Sequence, residues 1–113
     1  MKRGEIWTLA GGLHYAGNPR PALILQEDRF DSTDAITVCP FTTDMTDLEL
    51  MRVPIEADSR NGLRTSCRLM VDKVITVPRA QLGRRIGRID STDLARLSRA
   101  IVVFLGLGGA PDR

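Results

Sequence analysis

The sequence predicts a mainly β protein: a small, strongly bent barrel of short strands followed by one C-terminal helix. Short apolar runs, alternating or β-branched, recur between turn residues, and the closing segment changes to helical spacing. The length of 113 residues is enough for one modest core and too short for two. We therefore expect one SH3-like barrel domain with its helix over residues 1–106, about five to seven strands, and a flexible tail over residues 107–113.

The strands are predicted from apolar runs that are bounded by turn residues. In chain order, the predicted strands lie in EIWTLA, PALILQ, AITVCPF, LMRVPIEA, LRTSCRLMVDKVITV and RAQLGRRIGRID. The connections GGLHYAGNP, EDRFDSTD and DSRNG are rich in glycine or in polar residues, and the last contains an Asn-Gly pair, which is a strong turn signal. Short strands separated in this way are typical of a small barrel.

The closing segment predicts one amphipathic helix over about residues 91–105. Ser91 is a natural N-cap, and Asp93 lies in the first turn, where negative charge is favourable. Apolar residues recur at steps of three and four, namely Leu94, Leu97, Ile101 and Leu105. We expect Gly106 to end the helix.

The sequence shows no pattern typical of a membrane span, a secretory leader or a metal site. The longest apolar run is residues 101–105, far too short to cross a bilayer, and the first residues lack the apolar stretch of a signal peptide. Cys39 and Cys67 have no second ligand at metal-binding spacing, so we expect buried thiols. These patterns predict a cytoplasmic protein that uses no metal or other cofactor.

The net charge of +2 is small, but the charges are unevenly distributed. Residues 26–50 carry seven acidic side chains and one basic one, whereas residues 51–88 carry nine basic and three acidic ones. Fourteen of the sixteen basic residues are arginines, whose planar guanidinium suits bidentate contacts with phosphate. The basic run is therefore either a face for nucleic acid or a solvated surface.

Few residues offer catalytic chemistry. The chain lacks a Ser-His-Asp order, a phosphate-binding glycine loop and paired carboxylates at helical spacing. What remains is Arg20 between two prolines, His14 in the glycine-rich loop, and the adjacent Thr42 and Thr43. Arginine stabilises negative charge and a threonine hydroxyl can donate to a phosphoryl oxygen. Cleavage of RNA by its own 2′-hydroxyl fits these residues, because the nucleophile belongs to the substrate.

Three stretches, RGEIW, AGNPRPALIL and VCPFTT, resemble the MazF/PemK (Kid) toxins of bacterial toxin-antitoxin systems. They are similar, in this order, to the opening strand of that family, its Arg-Pro loop with the following strand, and its strand ending in Pro-x-Thr. LRTSCRLMVDKVITVPRAQL and the C-terminal helix resemble the later part of the family, so the resemblance covers nearly the whole chain. It implies the small barrel of the MazF, PemK and CcdB-like plasmid maintenance toxins.

The resemblance implies a metal-independent endoribonuclease that inhibits translation and growth. Arg20 falls on the catalytic arginine of the family and Thr42 on its catalytic threonine. The implied reaction is sequence-specific cleavage of single-stranded RNA by attack of the 2′-hydroxyl. The implied substrate is mRNA alone, or mRNA together with tRNA or rRNA. His14 stands where some members have an acidic residue, and it is either a proton shuttle or a loop residue without a role.

The resemblance also implies binding residues and partners. The predicted RNA-binding residues are Tyr15, Asn18, Thr43, Arg64, Arg68, Asp72 and Lys73. The residues Arg84, Arg85 and Arg88 are interpreted as phosphate contacts or as the rim of a dimer. The implied partners are a second copy of the chain, in a homodimer, and a MazE-like antitoxin whose acidic, flexible C-terminal segment binds the basic run.

Two other functions are compatible with the sequence. A toxin of the same fold could poison DNA gyrase without being a nuclease, although the presence of both Arg20 and Thr42 argues against this. The chain could also be a non-catalytic RNA-binding module that uses its basic residues for phosphate contacts.

Overall fold

In the computed structural model, which describes residues 1–10, 19–45 and 51–109, the chain forms seven strands and one α-helix. The strands are β1 (Glu5–Leu9), β2 (Arg20–Ile24), β3 (Ala35–Thr42), β4 (Arg52–Ile55), β5 (Cys67–Met70), β6 (Ile75–Pro78) and β7 (Leu82–Arg88), and the helix is α1 (Ser91–Leu105). Within these described ranges, short 3-10 helices cover Asp28–Phe30, Val71–Lys73 and Arg79–Gln81. The predicted fold class, mainly β with a C-terminal helix, is confirmed.

The strands form one antiparallel sheet that bends around β3. The strand order is β4-β5-β3-β2-β1-β7, and β6 pairs with β3 outside this path. The first half of β3 pairs with β6 and its end pairs with β5, while its centre pairs with β2. The run LRTSCRLMVDKVITV, predicted as one strand, therefore forms two strands, because the 3-10 turn at Val71–Lys73 divides it.

The bent sheet buries apolar side chains on both faces. The inner cluster includes Ile6, Leu23, Cys39, Phe41, Leu69 and Leu97. The outer cluster consists of Ala22, Ile24, Ile36, Val38, Val77 and Leu82, with Met1, Trp7 and Leu9 packed against it. Successive residues of β2 and β3 alternate between the two clusters, as the two-residue period of a strand requires. The aromatic side chains of Phe41 and Trp7 take part in this packing, Phe41 within the inner cluster and Trp7 against the outer one.

Helix α1 packs on the inner cluster through Leu97, which is fully buried. Its N-cap is Asp90 and not Ser91 as predicted, because the Asp90 carboxylate accepts a hydrogen bond from the backbone N–H of Asp93 at 2.8 Å. Gly106 ends the helix with a φ of 69°, as predicted. Within the described residues, no helix combines the length and the apolar character that crossing a membrane requires.

Both cysteines are buried free thiols, which confirms the sequence prediction. Cys39 lies in the centre of β3, and its Sγ donates to the backbone oxygen of Met70 at 3.4 Å. Burial raises the pKa of the Cys39 thiol to about 12, because a thiolate would lose its hydration there. Burial also raises the pKa of Cys67.

The raised pKa of Cys39 predicts a loss of stability in alkali that Cys39→Ala removes. Between its ordinary pKa and about 12 the thiol ionises in the unfolded chain but not in the folded one, so rising pH favours unfolding. At neutral pH, Cys39→Ala should be less stable than the wild type. Near pH ~10.5 this deficit should shrink by about 1–2 kcal/mol.

Urea unfolding at both pH values measures this difference. Val38→Ala is the matched control, because Val38 is also fully buried in β3 but does not titrate. Its deficit should not depend on pH, and a pH-independent deficit for Cys39→Ala would contradict the prediction.

Candidate functional site

The structure brings Arg20 and Thr42 together at one end of the sheet. In the β2–β3 pairing Ala22 lies opposite Pro40, and extending this register by two residues brings Arg20 level with Thr42. Both residues line a cavity of about 190 Å³. We call it the threonine cavity, and its lining residues are Arg20, Pro21, Phe41, Thr42, Thr43 and Cys67. The two residues implied to be catalytic therefore share one site, although they are 22 positions apart in the chain.

Local chain geometry positions both side chains. Arg20 is the first residue of β2 and lies between Pro19 and Pro21, whose rings fix the backbone on either side of it. Thr42 is the last residue of β3, and its Oγ1 accepts a hydrogen bond from the backbone N–H of Asp44 at 3.1 Å. Because the Thr42 oxygen accepts this bond, its hydroxyl hydrogen can be donated to an anion.

A second arginine lies beside Thr42. In the β3–β5 pairing Thr42 is directly opposite Arg68, and directly opposed residues of an antiparallel pair project on the same face. Arg20, Thr42 and Arg68 thus come from three adjacent strands. Two permanent cations next to a hydroxyl donor favour binding of a phosphate or a carboxylate.

A larger cavity of about 360 Å³ lies next to the threonine cavity and shares Arg20, Pro21 and Phe41 with it. We call it the glutamine cavity. Its remaining lining residues are Leu9, Ala10, Pro40, Met70, Lys73, Ile75, Val77 and Gln81. Sequence reasoning identified only Lys73 among these eight. The others come from β1 and the residue after it, from β3, β5 and β6, and from the 3-10 helix Arg79–Gln81, and no sequence motif links them.

The other predicted binding residues have different positions. Thr43 lines the threonine cavity, whereas Arg64 is exposed ahead of β5 and lines neither cavity. Asp72 is largely buried, and its carboxylate accepts a hydrogen bond from the guanidinium of Arg52. His14, Tyr15 and Asn18 lie outside the described residues.

The basic run does not form one continuous surface. The side chain of Arg52 is largely buried in its ion pair with Asp72, and Arg79 donates to the carboxylate of Asp31 and to the backbone oxygen of Thr33. The Nε of Arg85 lies 3.4 Å from the Oε2 of Glu5, so these two side chains form an ion pair. Burial alone would raise the pKa of Glu5, but hydrogen bonds from the backbone of Lys2 and the indole of Trp7, together with the charge of Arg85, lower it. The remaining arginines of the run are exposed or half-buried, namely Arg60, Arg64, Arg68, Arg84 and Arg88.

Sequence similarity assigns this small β barrel to a class of toxins. Residues 2–105 match the family described as the PemK-like, MazF-like toxin of type II toxin-antitoxin systems, so the chain belongs to this family. It is 52% identical over 109 residues to the probable endoribonuclease MazF of Mycolicibacterium smegmatis. This alignment covers 96% of this chain and 100% of that protein. It is 32% identical to endoribonuclease MazF9 of Mycobacterium tuberculosis, over 95% of this chain and 98% of that protein.

Solved structures agree with this assignment. The Mycobacterium tuberculosis toxin MazF-mt6 superposes with a TM-score of 0.76 at 28% identity, covering 90% of this chain and 96% of that chain. A MazE-MazF structure from Deinococcus radiodurans superposes with a TM-score of 0.78 over 94% of this chain and 96% of that chain. At 19% identity, that second likeness concerns the fold. The resemblance and the fold inferred from the sequence are confirmed.

The buried ion pair between Arg52 and Asp72 supports the 3-10 turn that carries Lys73, and its loss should be costly. The side chains of Arg52 and Asp72 are only 10% and 20% exposed. Asp72→Ala leaves a buried guanidinium unpaired, so we expect a loss of about 3 kcal/mol in unfolding free energy, measured with urea.

Asp93→Ala is the matched control for Asp72→Ala. It removes the carboxylate that pairs with Arg96 at 2.7 Å, but those side chains are 26% and 38% exposed. We expect this loss to be below about 1 kcal/mol, because solvent screens the pair. Equal losses for the two variants would contradict the supporting role of Asp72.

Proposed function

We propose that this chain cleaves single-stranded RNA without a metal ion, with Arg20 and Thr42 at the reacting phosphate. Its family and its curated relatives make it a MazF-type endoribonuclease, the toxin of a type II toxin-antitoxin system. The observation that carries the proposed site is the threonine cavity, which both residues line. Cutting mRNA, and also tRNA or rRNA, at short motifs inhibits translation and growth.

The chemistry needs little from the protein, because the attacking 2′-hydroxyl belongs to the RNA. Its oxygen attacks the adjacent phosphorus, the 5′-oxygen leaves, and the products carry a 2′,3′-cyclic phosphate and a 5′-hydroxyl. Arg20 stabilises the negative charge that builds up on the phosphorane, which is the charge that a metal ion neutralises in other nucleases. Thr42 donates its hydroxyl hydrogen to a phosphoryl oxygen, and Arg68 holds the neighbouring backbone.

Two protons must also move. The attacking 2′-hydroxyl loses one, and the departing 5′-oxygen gains one. Arg20 and His14 are the two candidates for the group that accepts the first proton. The His14 candidate predicts a change in cleavage rate near pH ~6.5, where histidine changes its charge.

The partners follow from the family. A type II toxin has a cognate protein antitoxin, and we propose that an acidic, flexible segment of it binds the exposed arginines of the basic run between residues 52 and 88. We also propose a cytoplasmic location, where the RNA substrates are, and a homodimeric assembly. The dimer is supported by large apolar side chains exposed at the end of α1 and just beyond it, namely Val102, Val103, Phe104, Leu105 and Leu107.

Arg20→Ala should abolish RNA cleavage without unfolding the protein. The wild type, incubated with single-stranded RNA in excess EDTA, should give discrete fragments with 2′,3′-cyclic phosphate ends. Loss of the preorganised charge should lower the rate by on the order of 10²-fold or more. The matched control is Arg99→Ala, which removes an exposed arginine of α1 and should cut normally.

Further measurements complete the cleavage test. A 2′-deoxy substitution at the cut site should abolish cleavage, and His14→Ala should alter the pH profile near pH ~6.5 only if His14 accepts the proton. Cleavage that needs magnesium or survives Arg20→Ala would refute the mechanism. Supercoiling inhibition without RNA decay would indicate a gyrase poison, and RNA binding without cleavage a non-catalytic module.

Sedimentation tests the proposed dimer. At micromolar concentration the wild type should sediment as a dimer, and Val103→Glu should sediment as a monomer, because a buried carboxylate without a partner is costly. Val103 is 65% exposed, so the monomer should tolerate this change. Ala95→Glu places the same charge at an exposed position near the start of α1 and should remain dimeric. A wild-type monomer, or a dimeric Val103→Glu, would contradict the proposed dimer or its interface.

A further inference from the structure

We infer that the glutamine cavity binds the base of the nucleotide next to the reacting phosphate, and that Gln81 reads the edge of this base. The inference rests on the proposed cleavage of RNA and assigns a specificity role to Gln81. This residue lies in the segment RAQL, where no motif marks it.

The position of the glutamine cavity is the first argument. It shares Arg20, Pro21 and Phe41 with the threonine cavity, so the two cavities adjoin at Arg20. A phosphate held between Arg20 and Thr42 is joined to its neighbouring base by one sugar. The base of an adjacent nucleotide therefore reaches the glutamine cavity when it is turned out of the stack, as single-stranded RNA allows.

The lining of the cavity is the second argument. Most of its described lining residues are apolar, including Pro40, Phe41, Met70 and Val77. Such a surface suits the flat face of a base, which loses its contact with water when it enters. The volume of about 360 Å³ is within the range of small-ligand pockets, about 300–1,000 Å³.

The polar groups of the cavity are the third argument. Arg20 and Lys73 are cations that only donate hydrogen bonds, and they suit the phosphates on either side of a base. Among the described lining residues, Gln81 is the one whose side chain both donates and accepts. An amide of this kind can distinguish the hydrogen-bonding edges of different bases, whereas the two cations favour any anion.

The backbone holds Gln81 at a fixed place beside the cavity. Its carbonyl oxygen accepts a hydrogen bond from the N–H of Ala10 at 2.8 Å. Gln81 also ends the 3-10 helix that begins at Arg79, whose guanidinium donates to the backbone oxygen of Thr33 at 2.7 Å. A reading side chain needs such support, because misplacement weakens the hydrogen bonds on which discrimination depends.

Cleavage of an RNA library with randomised sequence, followed by sequencing of the cut ends, tests the inference. The wild type should show preferences at several positions around the cut. Gln81→Ala should lose the preference at one position adjacent to the cut, with discrimination there falling by roughly 10-fold, and should keep the others. Gln81→Glu, which accepts but does not donate, should shift that position towards bases that present an amino group.

The matched control is Thr76→Ala, which changes an exposed side chain of β6 that lines neither cavity. It should leave every position of the cleavage profile unchanged. A wild type that cuts the library while both Gln81 variants share its profile overturns the base pocket and leaves the proposed cleavage intact. A wild type that cuts no RNA overturns both.

Binding to an uncleavable RNA gives a second readout that does not depend on the reaction rate. The RNA carries a 2′-deoxy substitution at the cut site and, in a matched version, lacks the base at the sensitive position. Removal of the base should weaken binding to the wild type and have less effect on binding to Gln81→Ala, as a double-mutant cycle between contacting groups requires. Independent, additive losses would overturn the contact. A second result would also overturn the contact: Gln81→Ala binds the antitoxin more weakly but keeps the wild-type cleavage profile. The cavity would then hold a side chain of the antitoxin and not a base of the RNA.

Discussion

The backbone pairing of β3 with three neighbouring strands is the constraint on which the rest of this structure depends. The strands β2, β5 and β6 all form backbone hydrogen bonds with β3. They carry, in this order, Arg20, Arg68 and Ile75, which these pairings bring to the region around Thr42 and the two cavities. Since side chains alternate along a strand, a slip of one residue in the β2–β3 pairing would turn Arg20 to the face opposite Thr42. The alternation of residues between the inner and outer clusters opposes such a slip, because it would move the fully buried Leu23 and Ile24 into the opposite clusters and disrupt the packing of both.

The charges of the chain divide between support and function. Arg52 and Arg79 are held by Asp72 and Asp31, and they fix the turns on either side of β6. Burial alone would raise the pKa of the Asp31 carboxyl. The positive charges of the N-terminal ammonium and of Arg79 outweigh this effect, so the pKa of Asp31 is lowered. Arg20 lines both cavities, and Arg68 lies opposite Thr42 in the neighbouring strand β5. A run of basic residues in a sequence therefore does not by itself give the position of a basic surface.

Much of the fold could be predicted from local patterns, and the exceptions have physical reasons. The bounds of α1 were predicted, but both Asp90 and Ser91 are good caps, and the reach of the Asp90 carboxylate to Asp93 decides between them. The break between β5 and β6 was missed because the turn at Val71–Lys73 contains no glycine or proline. The resemblance implied Arg20 and Thr42, whereas the lining of the glutamine cavity comes from segments that only the folded sheet brings together.

The sheet order has a consequence for the order in which the two cavities form. The threonine cavity needs only β2, β3 and the start of β5, so its residues lie between positions 20 and 67. The glutamine cavity also needs Ile75, Val77 and Gln81. The first strand pairs with β7, and pairings between residues so distant in sequence close slowly because of the entropy lost in forming a large loop. In a newly synthesised chain the residues of the threonine cavity therefore precede Gln81, and the proposed base contact of the glutamine cavity is the later of the two sites to be complete during folding.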